Sequence, residues 1–124
     1  MGDEMQRNTL LSFGTASFEE TVAHGGRDTI RAARFGTTWG ASSCKFIDLC
    51  VLPVGSSIGL HTHADDDEEI YIVIDGHGEM IVGGQHLRIG PGDVIVNRPG
   101  GTHGLSNDGD APLRIVVLDV AARD

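Results

Sequence analysis

Short apolar runs recur along the chain, and turns rich in glycine separate them. The runs are rich in β-branched residues and none shows a sustained helical period, so they predict strands. Gly83 and Gly84 lie between two of the runs and indicate a hairpin. This spacing predicts an all-β sandwich or barrel. The predicted strands cover residues 29–35, 44–52, 69–75, 78–82, 85–89, 93–97 and 113–120.

Residues 1–28 carry weaker signals and are interpreted as an N-terminal extension. Within it, FEETVA at 18–23 is compatible with one helical turn, and TTWGASS at 37–43 is interpreted as a loop. The chain has no internal repeat and no low-complexity segment. A length of 124 residues then predicts a single domain over 1–124.

The strand predicted at 69–75 is apolar on both faces, because Ile70, Ile72 and Ile74 alternate with Tyr71 and Val73. A strand with one face in water would alternate with polar residues. We therefore expect the core to cover one face and another chain segment or a second subunit to cover the other. The isoleucine face predicts a homodimer, to which the N-terminal segment could add by pairing with the partner's sheet edge.

Composition excludes several classes of partner. A net charge of −9 argues against nucleic acid and against anionic membranes. No apolar run approaches the roughly 20 residues of a membrane span, and no signal peptide is evident. Cys44 and Cys50 share one predicted strand and stand too far apart to form a disulfide. Free thiols and the lack of a signal predict a cytoplasmic location.

Candidate metal ligands occur in the stretch GLHTHADDDEEIYIVIDG at 59–76. Residues two apart on a strand share a face, so His61 and His63 could bind one ion. Either Glu68 or Glu69 could join them, because the two side chains point to opposite faces and the pattern does not say which face is inside. The alternative is an exposed strand edge followed by a solvated acidic loop.

A second stretch, GPGDVIVNRPGGTHGLSND at 90–108, supports the metal interpretation. The two stretches together resemble, in order and spacing, the two motifs of the cupin superfamily, over about residues 44–120. The resemblance implies a double-stranded β-helix of the jelly-roll type. It also implies the metal ligands His61, His63, Glu69 and His103. The gap before Glu69 is longer than usual in the family, which keeps Glu68 open, and Arg98 stands at the usual proline position.

Family resemblance also implies a function. We expect a mononuclear metalloenzyme that holds one divalent Mn, Fe, Co, Ni, Cu or Zn ion and acts on a small oxygenated molecule. Dioxygenases, isomerases, decarboxylases, lyases and cyclases all occur in the family, and the sequence does not choose among them. The alternatives are a metal-bearing binding protein without turnover and a cupin whose metal is only structural.

Several side chains are candidates for the pocket around the metal. Tyr71 shares a face with Glu69 and is either a polar pocket residue or an ordinary barrel aromatic. Arg98 could grip a carboxylate or lie at the surface. Asp48 and Cys50 point to the same face of their predicted strand and could line the pocket. The remaining histidines, His24, His77 and His86, are interpreted as surface or structural residues.

Overall fold

The computed structural model describes residues 10–36 and 43–122, so the loop predicted at 37–43 lies almost entirely outside the described residues. The described part contains ten strands and no helix, and hence no helix that is long and apolar enough to cross a membrane. The strands are β1 Glu19–Thr21, β2 Ile30–Phe35, β3 Cys44–Leu52, β4 Ser57–Thr62, β5 Asp67–Asp75, β6 Gly78–Val82, β7 Gln85–Ile89, β8 Val94–Asn97, β9 Thr102–Ser106 and β10 Leu113–Ala121.

The strands form two antiparallel sheets that face each other. The six-stranded sheet has the order β1-β2-β3-β10-β5-β8, and the four-stranded sheet has the order β4-β9-β6-β7. Inward side chains from both sheets build one core, in which the most deeply buried apolar residues are Leu52, Met80, Leu105, Leu113 and Ile115. The prediction of an all-β jelly roll is confirmed.

Strand register arranges the inner face of the six-stranded sheet in rows. Asp48, Val117 and Tyr71 lie in one row across β3, β10 and β5. The neighbouring row is polar, because Glu69 on β5 stands between inward residues of the two adjacent strands. Towards the other end of the strands the rows are apolar. The polar and charged inward side chains therefore lie at one end of the barrel, and the hydrophobic core fills the other end.

The segment before β2 closes over the four-stranded sheet. The Gly59 N–H donates to the Ala23 carbonyl at 3.0 Å. A Cβ at Gly59 would lie only 2.1 Å from the His24 carbonyl oxygen, and a Cβ at Gly26 only 2.0 Å from the Ser57 oxygen. Only glycine permits this approach, so the two glycines hold residues 23–26 against β4.

The structure corrects three predictions of local structure. FEETVA contains no helical turn but includes β1, whose residues pair with β2. β9 at 102–106 was not predicted, because its glycine and polar residues mask the strand pattern. β5 begins at Asp67, within the acidic run expected to be a loop, because pairing with β10 extends it. The pairing between strands overrides local propensity in each case.

Candidate metal centre

The two sheets bring the four predicted ligand residues together. His61 lies on β4, His63 just beyond its end, and His103 on the neighbouring strand β9. Glu69 reaches them from β5 in the facing sheet. One ligand atom from each of the four residues lies within 4.8 Å of the others.

Glu69 is the centre of the contacts within the cluster. Its Oε1 atom lies 2.9 Å from His63 Nε2, 3.0 Å from His103 Nε2 and 4.0 Å from His61 Nε2. The Nε2 atoms of His61 and His63 are themselves 3.1 Å apart. Three imidazole nitrogens and one carboxylate oxygen therefore face a common point.

Hydrogen bonding sets the tautomer of His61. Its Nδ1 atom lies 2.8 Å from the Gly59 carbonyl oxygen. A carbonyl can only accept, so Nδ1 carries the proton and, in the neutral ring, Nε2 keeps its lone pair. That lone pair points to the centre of the cluster, as a cation requires of an imidazole ligand.

Burial and neighbouring groups set the charges in the cluster. Burial alone would raise the pKa of Glu69, but contacts with His103 and His61 and the charge of His63 outweigh it and lower the pKa to about 2. Burial lowers the pKa of His103 in spite of its bond to Glu69. The cluster thus offers an ionised carboxylate together with a His103 imidazole that favours its neutral form.

This donor set fits a transition-metal ion. Three imidazole nitrogens and a carboxylate suit any of several first-row divalent metals, and the set does not identify which. Cys44 and Cys50 are free thiols outside the cluster, and burial raises the pKa of Cys50 to about 12. The site is accordingly unlike the closed cysteine-rich sites that hold structural zinc.

The structure separates Glu69 from its neighbour Glu68. Glu69 is 6% exposed and points into the barrel, whereas Glu68 points outward, where its Oε1 lies 3.6 Å from Arg98 Nε. The Arg98 side chain is 80% exposed. Arg98 does not line the cavity beside the cluster, and its exposure agrees with the alternative of a surface arginine.

A cavity of about 270 Å³ opens beside the cluster, with Glu69 and Tyr71 in its wall. Tyr71 is buried, and its ring meets the His103 ring edge-on with centroids 5.4 Å apart. Burial raises the pKa of its phenol well above the usual value, so Tyr71 keeps its proton. Asp48 and Cys50 also line the cavity, as their parity suggested.

His24 is a cavity residue that the sequence interpretation missed. Its ring stacks on His61 with centroids 3.6 Å apart and planes 6° from parallel. Its backbone is left-handed, with φ of 50°. His24 is exposed, which agrees with its interpretation as a surface or structural residue, but it also packs against the cluster and lines the cavity. No local pattern reveals this contact, because it depends on how 23–26 closes over β4.

Arg34 is the second cavity residue that was missed. It had a detectable signal, because it shares its strand face with Ile30, which is buried, and Ala32, which packs against the core. The Arg34 side chain remains 61% exposed and pairs with Asp48, the buried member of the pair, which needs a partner for its charge.

Two buried polar side chains flank Glu69 in its row. Asn97 pairs in register with Glu69 on one side and Asp119 on the other. Both amide atoms of Asn97 and the Oδ1 atom of Asp119 lack hydrogen-bond partners among the described residues. Buried polar atoms are usually satisfied, so these atoms are further donors and acceptors available beside the cluster.

Comparison with known proteins agrees with this geometry. Residues 48–120, more than half of the chain, match the family model described as "Cupin domain", and the chain belongs to the cupin family. An uncharacterised protein from Methanocaldococcus jannaschii is 36% identical over 66 residues, which are 53% of this chain and 52% of that protein. An "Oxalate-binding protein" from Thermotoga maritima is 36% identical over 67 residues, 54% of each chain.

The chain thus spans about half the length of the curated relatives it matches. Among solved structures, a "predicted oxalate decarboxylase" from Thermotoga maritima superposes with a TM-score of 0.86 and 24% identity. That superposition covers 92% of this chain and 100% of the other, and it establishes the shared fold.

The environment of Asp119 generates a prediction about pH. Burial, followed by repulsion from Asp67, raises the pKa of Asp119 to about 7, against roughly 3.9 in an unfolded chain. The folded state holds the extra proton between these values, so it loses stability as pH rises through this window. Asp119→Asn cannot ionise, and we expect it to stabilise metal-free protein more at pH 8 than at pH 5.

Urea unfolding at both pH values measures this difference. Asp75→Asn is the control, because hydrogen bonding to Arg114 lowers the pKa of Asp75 and leaves it ionised at both pH values. An Asp119→Asn effect that is the same at pH 5 and pH 8 would contradict the assignment.

Proposed function

We propose that this chain is a mononuclear metal-dependent cupin that binds a small carboxylic acid and acts on it. One observation carries the proposal: three imidazole nitrogens converge on the Glu69 carboxylate, and Glu69 also lines a cavity of about 270 Å³. His61, His63, Glu69 and His103 would hold the ion, in an arrangement that is open on the cavity side.

Coordination number supports binding of a second molecule. Four protein donors leave roughly two positions on a six-coordinate ion, which suits a chelating acid. An ion held there would polarise an oxygen of the acid. Around it, Gly59 orients the His61 ring, and Tyr71 keeps a neutral phenol beside His103. Ile58 and Val117 supply apolar wall.

The relatives support the substrate class. The Thermotoga maritima relative is named for binding oxalate, and the structural neighbour with the same fold is named as a predicted oxalate decarboxylase. We therefore take oxalate and related small acids as the class to test.

Binding without turnover is the second candidate function, because the relative at 36% identity is named for binding rather than for a reaction. Assay of the metal-loaded protein for consumption of oxalate distinguishes the two. A purely structural metal is a third possibility, and its removal would unfold the protein.

Metal stoichiometry tests the ligand set. Purified protein is expected to carry about one ion per chain by elemental analysis, and alanine at His61, His103 or Glu69 should remove most of it. His86→Ala is the matched control, since His86 is exposed on β7 and contacts Glu79 instead. Metal affinity should fall as pH is lowered into the acid range, because ligand imidazoles must be neutral. Full occupancy in His103→Ala would show that the ligand set is wrong.

Spectroscopy tests whether the site is open. We expect oxalate to change the visible spectrum of cobalt-substituted protein, because a chelating acid would occupy the free positions. Sulfate at the same ionic strength is the control for a general salt effect. A spectrum that no small acid changes would indicate a closed, structural metal and would contradict the proposed function.

We also propose that the chain forms a homodimer through the outer face of the six-stranded sheet. Adjacent outward residues of β8, β5 and β10 form an outer apolar patch. The patch contains no charged side chain. A second copy can therefore pack against it about a two-fold axis in spite of the net charge of −9. The outer apolar patch consists of Ile70, Ile72, Ile74, Val94, Val96, Val116 and Leu118.

The described N-terminal segment leaves this patch free. Phe13 lies against Arg114 and Phe18 against Arg31, on another part of the same sheet. Val94 is 58% exposed and Val96 45% exposed, which is costly for valines on an edge strand unless another molecule covers them. A cytoplasmic location remains a prediction from the sequence.

Light scattering tests the dimer. The wild-type chain should have about twice its monomer mass of 13.1 kDa, and the double variant Val94→Lys, Val96→Lys should be monomeric because it places charge in the patch. Val54→Lys is the control, since Val54 is 53% exposed but lies off the patch. A wild-type species of monomer mass at micromolar concentration would refute the dimer.

A further inference from the structure

The cavity has a second polar end, formed by Arg34 and Asp48. Arg34 Nε donates to Asp48 Oδ1 and Arg34 Nη2 to Asp48 Oδ2, both at 2.8 Å. The Arg34 guanidinium carbon lies 3.8 Å from the centre of the Phe46 ring. A two-point bond on one edge and an aromatic ring on one face fix the orientation of the guanidinium.

This arrangement leaves one edge of the guanidinium free. Among residues 10–36 and 43–122, Nη1 of Arg34 makes no hydrogen bond, although both Arg34 and Asp48 line the cavity. Asp48 is only 8% exposed, so the carboxylate that holds the arginine is itself fixed in the wall. The Arg34 side chain is 61% exposed, but unlike Arg98 it lines the cavity and is held by Asp48 and Phe46. Its free N–H groups are therefore oriented donors that a ligand can reach.

Strand register gives the spacing between this end and the metal cluster. Asp48 and Tyr71 occupy the same row, separated by Val117 on the intervening strand. Two strand spacings across the sheet and two residues along β5 place the Asp48 and Glu69 Cα atoms roughly 12 Å apart. This Cα separation is longer than oxalate, so we expect an acid that reaches from the cluster to Arg34 to have more than two carbons.

Part of the wall between the two ends is apolar. Ala32, Ile58 and Val117 contribute to it, and such a surface suits the methylene groups of a ligand rather than a further charge. A matching molecule would carry a chelating group at one end and acceptor oxygens at the other, with a short carbon chain between them.

We infer that Arg34, oriented by Asp48, is a specificity-determining residue that binds the distal oxygens of an acid longer than oxalate. The ligand class is a 2-oxo or 2-hydroxy acid with a second carboxylate or similar oxygen group at the end of a chain of about five carbons. This inference rests on the proposed function, because the chelating end needs the metal.

A matched pair of acids tests the inference by calorimetry on cobalt-loaded full-length protein. The acid 2-oxoglutarate carries the distal carboxylate, and 2-oxovalerate has the same chain with a methyl group instead. Wild-type protein should bind 2-oxoglutarate at least about tenfold more tightly, as expected for a hydrogen bond to a charged group. Arg34→Met should reduce this ratio to near one and leave the spectral response to oxalate unchanged.

Three variants sharpen the test. Asp48→Asn should reduce the ratio partly, because the guanidinium loses its two-point partner. Arg34→Lys should do the same while keeping the charge and most of the side-chain stem. It provides a second test if Arg34→Met does not fold. Arg98→Met is the control and should retain the full ratio, since the exposed Arg98 lies outside the cavity.

The outcomes are distinguishable. A wild-type protein that responds to oxalate but does not discriminate between the two longer acids overturns this inference alone. Equal weakening of all three acids by Arg34→Met also overturns it, because that result would indicate a general charge effect. A protein whose spectrum responds to none of the acids contradicts the proposed function itself.

Discussion

The buried carboxylate of Glu69 is the constraint on which the rest of the site depends. An ionised group at 6% exposure is costly unless charged or hydrogen-bonding partners surround it. Its partners are the imidazoles of His63 and His103, which project from the other side of the barrel. The contact therefore joins the two sheets at their polar end, while apolar packing joins them at the other. The same contact keeps the carboxylate ionised and aims the nitrogens at one point.

Much of this could be predicted from sequence because it is encoded in local spacing. Alternating strands and glycine turns indicate the all-β fold, and His61 and His63 two residues apart must share a face on an extended chain. Local spacing alone does not predict the position of His103. It lies opposite His61 because β9 pairs with β4, and the sequence of β9 has little strand propensity. There the order of two motifs, rather than local propensity, was informative.

What could not be predicted depends on contacts between distant segments. Glu68 and Glu69 are equivalent by composition, and only the pairing of β5 with both of its neighbours determines which one is inside. His24 meets His61 because a loop before β2 crosses β4, and no spacing in the sequence expresses that crossing. Arg34 is different, because the sequence places it on the same strand face as the apolar residues Ile30 and Ala32. The alternation of side chains along β2, a strand outside both motifs, is enough to predict that Arg34 lies beside the pocket.

Gly59 connects the orientation of the His61 ring with the shape of the cavity. Its carbonyl oxygen orients the His61 ring, and its N–H holds the segment that forms one wall of the cavity. A side chain at this position would collide with the His24 backbone. A single substitution here would therefore alter ion affinity and ligand preference together. Divergence towards a new ligand must proceed through other wall positions, such as Ala32 or Ile58, where the shape of the cavity can change while the cluster keeps its geometry.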